Sequence, residues 1–389
     1  MDHKVARIAV FSLAYHPFEG GAEIAAREIM TRNPSYDFCL FTHRFESSWA
    51  TEETTAGIQI TRLGRGQSHK SYYGRTLEKW GYIFRAWRKA EREHRRSPFS
   101  LVWAIMASYG GAAAWLFKIR HPSIPFLLTL QEGDAESHIL RRVGIWHPIW
   151  RYIFKTANQI QAISKFLADF ARREGATCPI EIIPNGVAPE EIKINPIQGK
   201  KEKIIITTSR LVHKNGIDIA LRALGFLERR GITKWIFWIL GQGPEENVLM
   251  KLAQSEGVGD KAIFMGTVPR ETIPGYLSKA DIFIRPSRSE GLGNSFLEAM
   301  ASGVPIIGTP VGGIVDFLKD GITGLCAQTE NPESVAEKIQ LLLGDQALRK
   351  RLAENAAKLV AEKYTWDIIA ASMNELFKKC LVLSKQKPR

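Results

Sequence analysis

The most informative stretch of this chain reads Arg285-Pro-Ser-Arg-Ser-Glu-Gly-Leu-Gly-Asn-Ser-Phe-Leu-Glu298. An apolar run that predicts a buried strand ends at Arg285. A glycine-bearing loop follows, and a helix is predicted to begin near Asn294 or Ser295, because both are good N-cap residues. The free N–H groups and the dipole of that helix terminus favour a phosphate or a polyhydroxyl ligand. Glu290 in the loop and Glu298 one turn inside the helix present carboxylates at different depths, which suits the hydroxyls of a sugar or a ribose. For an isolated pair of glutamates, solvated surface acids would be the more common arrangement.

A second strand-to-helix loop reads Ser209-Arg-Leu-Val-His-Lys-Asn-Gly216. Arg210 and Lys214 are permanent cations at a predicted helix N-terminus, where the helix dipole disfavours positive charge. An anion between them explains this placement, and a diphosphate would collect both cations together with the helix N–H groups. From this loop alone, two exposed surface cations are an equally good interpretation.

A third loop, after the first apolar run, contains Gly20 and Gly21. Adjacent glycines let the backbone approach a ligand closely, although a simple tight turn explains them equally well. The loop does not have the spacing G-x-G-x-x-G, so the sequence does not favour a nicotinamide site.

Short apolar runs alternate with helical patterns along nearly the whole chain, which predicts the α/β class with parallel sheets. The pattern forms two series, separated by a stretch rich in Pro, Gly, Lys and Glu. We therefore predict an N-terminal Rossmann-like domain at residues 1–190, a linker at 191–203 and a second Rossmann-like domain at 204–365. The last helix, at 366–389, is expected to pack back on the first domain.

The composition is that of a globular protein: of 389 residues, 45% are hydrophobic and 24% are charged. These values exclude wholesale disorder, collagen-like repeats and a multi-span membrane protein. The four cysteines are scattered singly, which argues against a disulfide framework or a zinc site. An uncharged run at residues 97–117 is interrupted by Pro98 and by Gly110-Gly111, so it predicts a strand, a turn and a helix rather than a membrane span.

In this order and spacing, the loops resemble those of the retaining glycosyltransferases of family 4, over nearly the full length of the chain. The most specific element is E-x7-E, here Glu290 to Glu298, followed by the loop with Arg210 and Lys214. The resemblance implies the GT-B fold, in which two Rossmann-like domains face each other across a cleft. It also implies transfer of a sugar from a nucleotide diphosphate with retention of anomeric configuration.

The resemblance further implies roles for individual residues. Arg210 and Lys214 would bind the donor diphosphate and stabilise its charge, so that no metal is expected, and no Asp-x-Asp occurs in the chain. Glu298 would bind the ribose and Glu290 the transferred sugar. The expected donor-binding set is completed by Gly20, Gly21, Gly266, Val268, Gly291, Leu292, Gly293, Asn294 and Ser295.

The chain departs from the family pattern in one loop. Family members often carry a histidine that faces the donor sugar, where this sequence reads Gln131-Glu132-Gly133-Asp134. Glu132 or Asp134 is expected to orient the acceptor hydroxyl, whereas Gln131 can only form hydrogen bonds.

The basic surplus, a net charge of +13, is concentrated in two places. Residues 65–96 contain ten Lys/Arg and three Glu, and residues 376–389 contain five Lys/Arg and no acid. The first segment also has an apolar stripe at helical spacing. A membrane-surface helix has such a face, although burial of the stripe on the N-terminal sheet is the more common outcome. The stripe consists of Tyr73, Leu77, Trp80, Phe84 and Trp87, and the predicted docking cations are Arg75, Lys79, Arg85, Arg88, Lys89 and Arg92.

With the resemblance, the sequence predicts a cytoplasmic hexosyltransferase that is peripheral on the inner face of the membrane and needs no metal or other cofactor. A UDP- or GDP-sugar is the expected donor, and a lipid-linked or polysaccharide acceptor in cell-envelope glycan synthesis is the expected partner. Two alternatives remain from sequence. One is a GT-B epimerase or phosphorylase, the latter requiring a pyridoxal-binding lysine that we do not identify. The other is a basic nucleic-acid-binding protein.

Overall fold

The computed structural model describes residues 5–18, 20–66, 76–188 and 202–385. The chain divides into two compact units. Unit 1 comprises Met1–Glu132, Glu136–Pro184 and Asp367–Arg389, and unit 2 comprises Gly133–Ala135 and Asn185–Trp366.

Unit 1 contains an eight-stranded sheet in the order β3-β4-β2-β1-β5-β6-β7-β8. All neighbouring strands are parallel except the antiparallel pair β3 and β4. Strand β5 is buried at every position, as expected for a parallel strand that is covered on both faces. The strands are β1 (Arg7–Phe11), β2 (Asp37–His43), β3 (Glu52–Thr55), β4 (Ile58–Leu63), β5 (Leu101–Ile105), β6 (Phe126–Leu130), β7 (Gln159–Ala162) and β8 (Ile180–Ile182).

Helices connect these strands. The run that could have been mistaken for a membrane span forms β5, a turn and α3, as the sequence predicts. Ser164 caps α6 by accepting a hydrogen bond from the Leu167 N–H at 3.3 Å. The helices are α1 (Gly21–Thr31), α2 (Thr76–Arg96), α3 (Tyr109–Arg120), α4 (Glu136–Val143), α5 (His147–Thr156) and α6 (Lys165–Arg173), with a 3₁₀ turn at Gly144–Trp146 between α4 and α5.

Unit 2 contains a six-stranded, fully parallel sheet in the order β11-β10-β9-β12-β13-β14. Its strands are β9 (Lys203–Thr208), β10 (Trp235–Leu240), β11 (Ala262–Gly266), β12 (Ile282–Arg285), β13 (Ile306–Gly308) and β14 (Leu325–Cys326). Its helices are α7 (Ile217–Arg229), α8 (Glu246–Ser255), α9 (Ile273–Leu277), α10 (Asn294–Ala301), α11 (Pro332–Gly344) and α12 (Gln346–Lys363).

The boundary between the units falls at Pro184/Asn185, before the predicted linker, of which only residues 202 and 203 are described. The main chain explains this position. The Val187 N–H donates to the Tyr364 carbonyl at 2.8 Å, and the Trp366 N–H donates to the Val187 carbonyl at 3.2 Å. Residues just after Pro184 are therefore paired with the end of unit 2.

The last helix, α13 (Trp366–Lys385), belongs to unit 1 from Asp367 onward. Phe377 lies with its ring centroid 5.2 Å from Trp103 of β5 and 6.0 Å from Phe38 of β2. Near the start of the helix, the Ala370 carbonyl accepts a hydrogen bond from the Asn33 side chain at 3.2 Å. The helix therefore completes the aromatic core of unit 1.

Candidate active site

Two loops meet at the point where the strand order of unit 2 reverses. Strands β9 and β12 are neighbours at the centre of the sheet, and the later strands are added on either side of them. In open parallel sheets, ligands bind beyond the carboxyl ends of the strands at such a point. The loop after β9 contains Arg210 and Lys214, and the loop after β12 contains Glu290. The Arg288 N–H donates to the Lys214 carbonyl at 2.7 Å, which joins the two loops.

The loop after β9 ends in a 3₁₀ turn at His213–Asn215, before α7 begins. Lys214 therefore lies in this turn, just before the N-terminus of α7. Asn215 anchors the loop by donating from its side chain to the Arg210 carbonyl at 2.7 Å. Gly216 has φ +68°, and a Cβ there would collide with the Pro286 carbonyl, so only glycine allows the loops to approach this closely. Arg210 is exposed.

The loop after β12 is built on a buried ion pair. Arg285, at the end of the strand, lies 2.7 Å from Glu290, and both side chains are buried. The Ser287 hydroxyl also donates to the same carboxylate oxygen, Oε1, at 3.2 Å. Glu290 is thus held by a cation and a hydroxyl within its own loop, which fixes the orientation of its carboxylate.

Helix α10 begins at Asn294, close to the predicted start, but its cap differs from the prediction. The N-cap is Gly293, with φ +96° and no side-chain cap, so Asn294 and Ser295 are the first residues of the helix. The side chain of Ser295 accepts a hydrogen bond from Arg285 at 2.5 Å instead. Gly291 and Leu292 are buried immediately before this terminus. The first N–H groups of a helix have no acceptor within the helix, so this terminus can bind an anion or a hydroxyl.

Glu298, one turn into α10, lies near the loop that follows β11. Its Oε1 atom is 3.7 Å from the Arg270 guanidinium, and both side chains are mostly buried. In the same loop, Gly266 has φ +68° and its carbonyl accepts a hydrogen bond from the Gly241 N–H at 2.7 Å. Val268 follows with a half-buried side chain. Glu298, which is predicted to bind the ribose, therefore lies near the loop that contains Gly266 and Val268, which are predicted to contact the base.

Lys214 reaches the three-residue segment Gly133–Ala135, which groups with unit 2. Its ammonium donates to the Gly133 carbonyl at 2.7 Å and lies 3.2 Å from an Asp134 carboxylate oxygen. Two predicted catalytic residues are thus in direct contact, although the sequence assigned one to the donor and the other to the acceptor.

Glu132 is buried, and both its carboxylate oxygens accept hydrogen bonds from the main chain. The Ala107 N–H donates at 2.8 Å and the Gln131 N–H at 2.9 Å. Burial raises the pKa of this carboxyl above its usual value, although the main-chain hydrogen bonds oppose that shift. Through these hydrogen bonds Glu132 connects two loops of unit 1.

Gly20 and Gly21 mark the start of α1. Gly20 is its N-cap with an extended backbone, and Gly21 is its first residue. The glycine pair therefore forms the junction of loop and helix in unit 1, where the sequence predicts close approach of the backbone.

Two family models match consecutive parts of the chain. The model described as Glycosyltransferase Family 4 matches residues 20–191, and the model described as Glycosyl transferases group 1 matches residues 189–359. Together they cover most of the chain and all the loops discussed above. The chain belongs to glycosyltransferase family 4.

Curated relatives are similar to parts of this family 4 chain. It is 28% identical over 256 residues to the GDP-mannose-dependent alpha-(1-6)-phosphatidylinositol monomannoside mannosyltransferase of Mycobacterium tuberculosis, covering 62% of this chain and 64% of the relative. For three of the curated relatives, the matches span between 42% and 64% of the relative's own length.

Solved structures confirm the predicted fold class. The sucrose-phosphate synthase of Thermosynechococcus elongatus superposes with a TM-score of 0.82 at 19% identity, covering 97% of this chain and 99% of the other. Anabaena HepE, solved in complex with UDP-glucose, superposes with a TM-score of 0.77 at 15% identity, covering 96% and 99%. The family 4 chain therefore has the GT-B fold, with two Rossmann-like domains.

Residues that are not predicted from the sequence also hold the site of this family 4 chain together. Arg288 binds Asp218, the second residue of α7, and Asn185 donates from its side chain to the Asn294 side chain at 3.2 Å. A signal for Arg285 was present, because a cation that ends a fully apolar strand is rarely buried without a partner. No comparable signal identifies Arg288 or Asn185, whose partners are distant in sequence.

The predicted docking helix, α2, buries a different face from the one expected. Trp80 and Phe84 are 39% and 52% exposed, so the prediction that the aromatic stripe packs in the core is wrong for these two residues. The buried face consists instead of Tyr82, Ile83, Ala86 and Ala90. The reason is that α2 packs against α3 and β2 through the face that contains Tyr82.

The predicted docking cations on α2 have different surroundings. Arg85, Arg88 and Arg92 are exposed, and Lys79 is half-buried. Lys89 is instead ion-paired, with carboxylates at 2.7 Å and 3.2 Å, so it is not available for docking in this arrangement. Arg75 and Tyr73 lie outside the described residues, as does the side chain of Leu77.

Two further observations concern the parts of the chain that the structure describes. There, no group of three or more His, Cys, Asp and Glu is close enough together to hold a metal ion. Within the same residues, no helix combines the length and the apolar character needed to cross a bilayer.

Proposed function

We propose that this chain transfers a hexose from a UDP- or GDP-sugar to a lipid-linked or polysaccharide acceptor in cell-envelope glycan synthesis, with retention of configuration. One observation carries the proposal: Lys214, the N-terminus of α10 and the Arg285–Glu290 pair lie on the two loops at the strand-order reversal of unit 2. This combination offers a cation, free N–H groups and an oriented carboxylate to one ligand.

In the proposed reaction, Arg210 and Lys214 bind the diphosphate. Negative charge develops on its leaving oxygen as the glycosidic bond breaks, and preorganised cations stabilise that charge. Lys214 now contacts the Gly133 carbonyl and Asp134, so the donor would exchange these contacts for phosphate oxygens. Because the cations supply the positive charge, we propose that transfer needs no metal.

The two glutamates bind different parts of the donor. Glu298 would accept hydrogen bonds from the ribose hydroxyls, and the main chain of Gly266 and Val268 would contact the base. Glu290 would bind the hydroxyls of the transferred sugar together with the N–H groups of residues 291–295. Its Oε1 atom is already oriented by Arg285 and Ser287, so it would bind the sugar without reorganisation.

Two observations support the proposed acceptor and its location at a membrane. The mycobacterial relative acts on a phosphatidylinositol mannoside, as its name states, which favours a lipid-linked acceptor. The exposed cations Arg85, Arg88 and Arg92 on α2 suit an anionic membrane surface. We therefore propose a cytoplasmic protein that is peripheral on the inner face of the membrane. Asp134 is the proposed residue that orients the acceptor hydroxyl.

A calorimetric panel of UDP- and GDP-sugars tests the donor. We expect one nucleotide sugar to bind the wild type, with affinity about 10-fold or more weaker in Lys214→Ala, since a hydrogen bond to a charged group contributes about 1.5–3 kcal/mol. Lys350→Ala, at an exposed position of α12, is the matched control. If no nucleotide sugar binds the wild type, the donor assignment fails.

Transfer itself is tested with the donor that binds. The anomeric configuration of the product, measured by NMR, should match that of the donor, and an inverted product would overturn the retention. Activity should also persist in EDTA, and a loss that Mg²⁺ or Mn²⁺ restores would overturn the metal independence.

A further inference from the structure

The 3₁₀ turn that joins α4 to α5 exposes apolar side chains to solvent. Ile145 is 88% exposed and Trp146 is 51% exposed. On the following helix, Ile149 and Tyr152 are also about half exposed. Ile149 and Tyr152 are three residues apart, so they share one face of α5 directly after the exposed turn. Single exposed apolar residues are ordinary, but a contiguous set marks a binding surface.

This exposed turn is continuous with the beginning of α2. The ring centroid of Trp80 lies 5.8 Å from that of Trp146, and the next exposed residue on α2 is Phe84, one turn further along. The six residues together form one surface, here called the aromatic surface, which consists of Trp80, Phe84, Ile145, Trp146, Ile149 and Tyr152.

Cations surround the aromatic surface. Arg141 and Arg142 occupy the last turn of α4, immediately before the exposed turn. The Lys79 ammonium lies 6.0 Å from the ring centroid of Tyr109, which itself contacts Trp80. Lys155 lies 5.3 Å from the Tyr152 ring centroid.

Two acids near this surface are paired, and a third, Glu78, lies in the first turn of α2. Glu136 of α4 is 2.8 Å from Arg173, and Glu174 is 2.7 Å from His147. Four cations, Arg141, Arg142, Lys79 and Lys155, thus outnumber Glu78, and the net charge around the aromatic surface is positive.

We propose that the aromatic surface inserts into the headgroup region of an anionic lipid bilayer. Trp and Tyr prefer the membrane–water interface, because each has an apolar body and a polar tip. Flanking cations add attraction to anionic headgroups. The proposal deepens the membrane docking of the proposed function and rests on it, but it assigns the insertion to the α4–α5 turn, whereas the sequence pointed to α2 and to the basic tail at residues 376–389.

Vesicle flotation tests the proposal without donor or acceptor. The probes are vesicles of phosphatidylcholine alone and of phosphatidylcholine mixed with phosphatidylglycerol. We expect the wild type to float only with the mixed vesicles. The double variant Ile145→Ser/Trp146→Ser should bind them about 10-fold or more weakly, because each buried large apolar side chain contributes about 1.5–3 kcal/mol. The matched control is Val248→Ser/Met250→Ser, which removes exposed apolar side chains from α8 of unit 2.

Charge is tested separately with Arg141→Gln/Arg142→Gln. Each cation near an anionic surface contributes about 1 kcal/mol, so we expect about a 20-fold or greater loss for the pair. Lys350→Gln/Lys358→Gln removes the same charge from α12, where both side chains are 77% exposed, and should bind like the wild type.

Three results would overturn the proposal: equal binding to both kinds of vesicle, no binding, or wild-type binding by both double variants. Self-association that depends on Ile145 and Trp146, without vesicle binding, would instead assign the surface to a second copy of the chain. Nucleotide-sugar calorimetry on the same variants separates the two proposals. If the variants bind the nucleotide sugar but no longer bind the mixed vesicles, both proposals stand. If the wild type binds vesicles but no nucleotide, the proposed function fails and the membrane surface remains.

Discussion

Arg288 binds both carboxylate oxygens of Asp218, at 2.7 Å and 2.8 Å, and so fastens the loop after β12 to the first turn of α7. The same guanidinium donates to the His213 carbonyl at 2.7 Å and to Glu330. The hydrogen bonds with Asp218 raise the pKa of Arg288. Burial disfavours the charged form of Asp218, but its hydrogen bonds and ion pair with Arg288 outweigh that effect and hold its pKa below the usual value. A bidentate pair at this position holds the turn that carries Lys214.

Arg288→Gln should therefore lower the free energy of unfolding by about 2 kcal/mol, because a partly buried carboxylate is left without its cation. Arg288→Lys keeps the charge but cannot bind both oxygens, so nucleotide-sugar affinity should fall about 5-fold, the equivalent of one hydrogen bond. Urea unfolding and calorimetry measure these effects. Lys350→Gln, which removes an exposed partner of Glu354, is the control and should cost under about 0.5 kcal/mol. Unchanged stability and affinity in both Arg288 variants would show that the pair does not hold the loop.

Asp134 contacts the same ammonium that we assign to the donor diphosphate. Asp134→Asn removes a competing charge from Lys214, so donor affinity should stay the same or rise a few-fold. If Asp134 also orients the acceptor, kcat should fall about 100-fold, at the lower end of the effect of a positioned acid or base. Steady-state kinetics with calorimetry separates these effects, and Asp169→Asn, an exposed position on α6, is the control. An unchanged kcat would limit Asp134 to being a partner of Lys214.

Glu298→Gln tests the ribose assignment. A carboxylate accepts stronger hydrogen bonds than an amide, so nucleotide affinity should fall about 10-fold, or 1.4 kcal/mol. The fall should disappear with a 2′,3′-dideoxy nucleotide, which lacks the hydroxyls. Glu354→Gln, exposed on α12, is the charge-matched control. An equal loss with the ribonucleotide and the dideoxynucleotide would mean that Glu298 acts through Arg270 rather than through the ribose.

Gly216 has a close neighbour as well as a left-handed backbone. Gly216→Ala should lower the free energy of unfolding by about 1 kcal/mol for the backbone conformation and by a further 1–3 kcal/mol for the collision with Pro286. Gly257 has a similar φ of +74° but open space around a Cβ, so Gly257→Ala should show the first effect only. Equal losses in the two variants, measured by urea unfolding, would exclude a steric contribution at Gly216.

His43 predicts a dependence of stability on pH. Burial, followed by the charge of Arg85, lowers its pKa to about 4. The unfolded chain binds this proton below about pH 6.5, whereas the folded chain binds it only below about pH 4, so stability falls as the pH drops between these values, by about 3 kcal/mol. His43→Gln should remove this dependence, and His138→Gln, at an exposed position, should keep it. If His43→Gln and the wild type lose stability in parallel over this range, His43 is not the cause.

The sequence predicts the site best where charged residues directly follow an apolar strand. The loops with Lys214 and Glu290 follow apolar strands, and parallel strands bring their carboxyl ends to one edge of a sheet, so their meeting could be predicted. The contact between Lys214 and Asp134, and the pairing of Glu290 with Arg285, could not be predicted. Both depend on the path of the main chain between residues that are not related by a regular spacing.

Other differences arise where tertiary packing overrides a local pattern. Strand β3 has no apolar alternation in Glu-Glu-Thr-Thr and forms because it pairs with β4. Helix α10 begins at Asn294, as predicted, but its cap is Gly293 rather than Asn294, because the tight turn before the helix needs a left-handed residue. On α2, contacts with α3 selected a buried face that excludes Trp80 and Phe84.

The return of α13 to unit 1 has a consequence for the order of events during synthesis. Phe377 packs against Phe38 and Trp103, yet the ribosome makes it only after the whole of unit 2. Domains that are synthesised first generally fold first. The aromatic core of unit 1, however, lacks Phe377 until unit 2 has been translated. A nascent chain that ends before α13 would therefore expose the aromatic side chains of β2 and β5 that Phe377 covers in the folded protein. Chaperones bind exposed apolar surface of this kind.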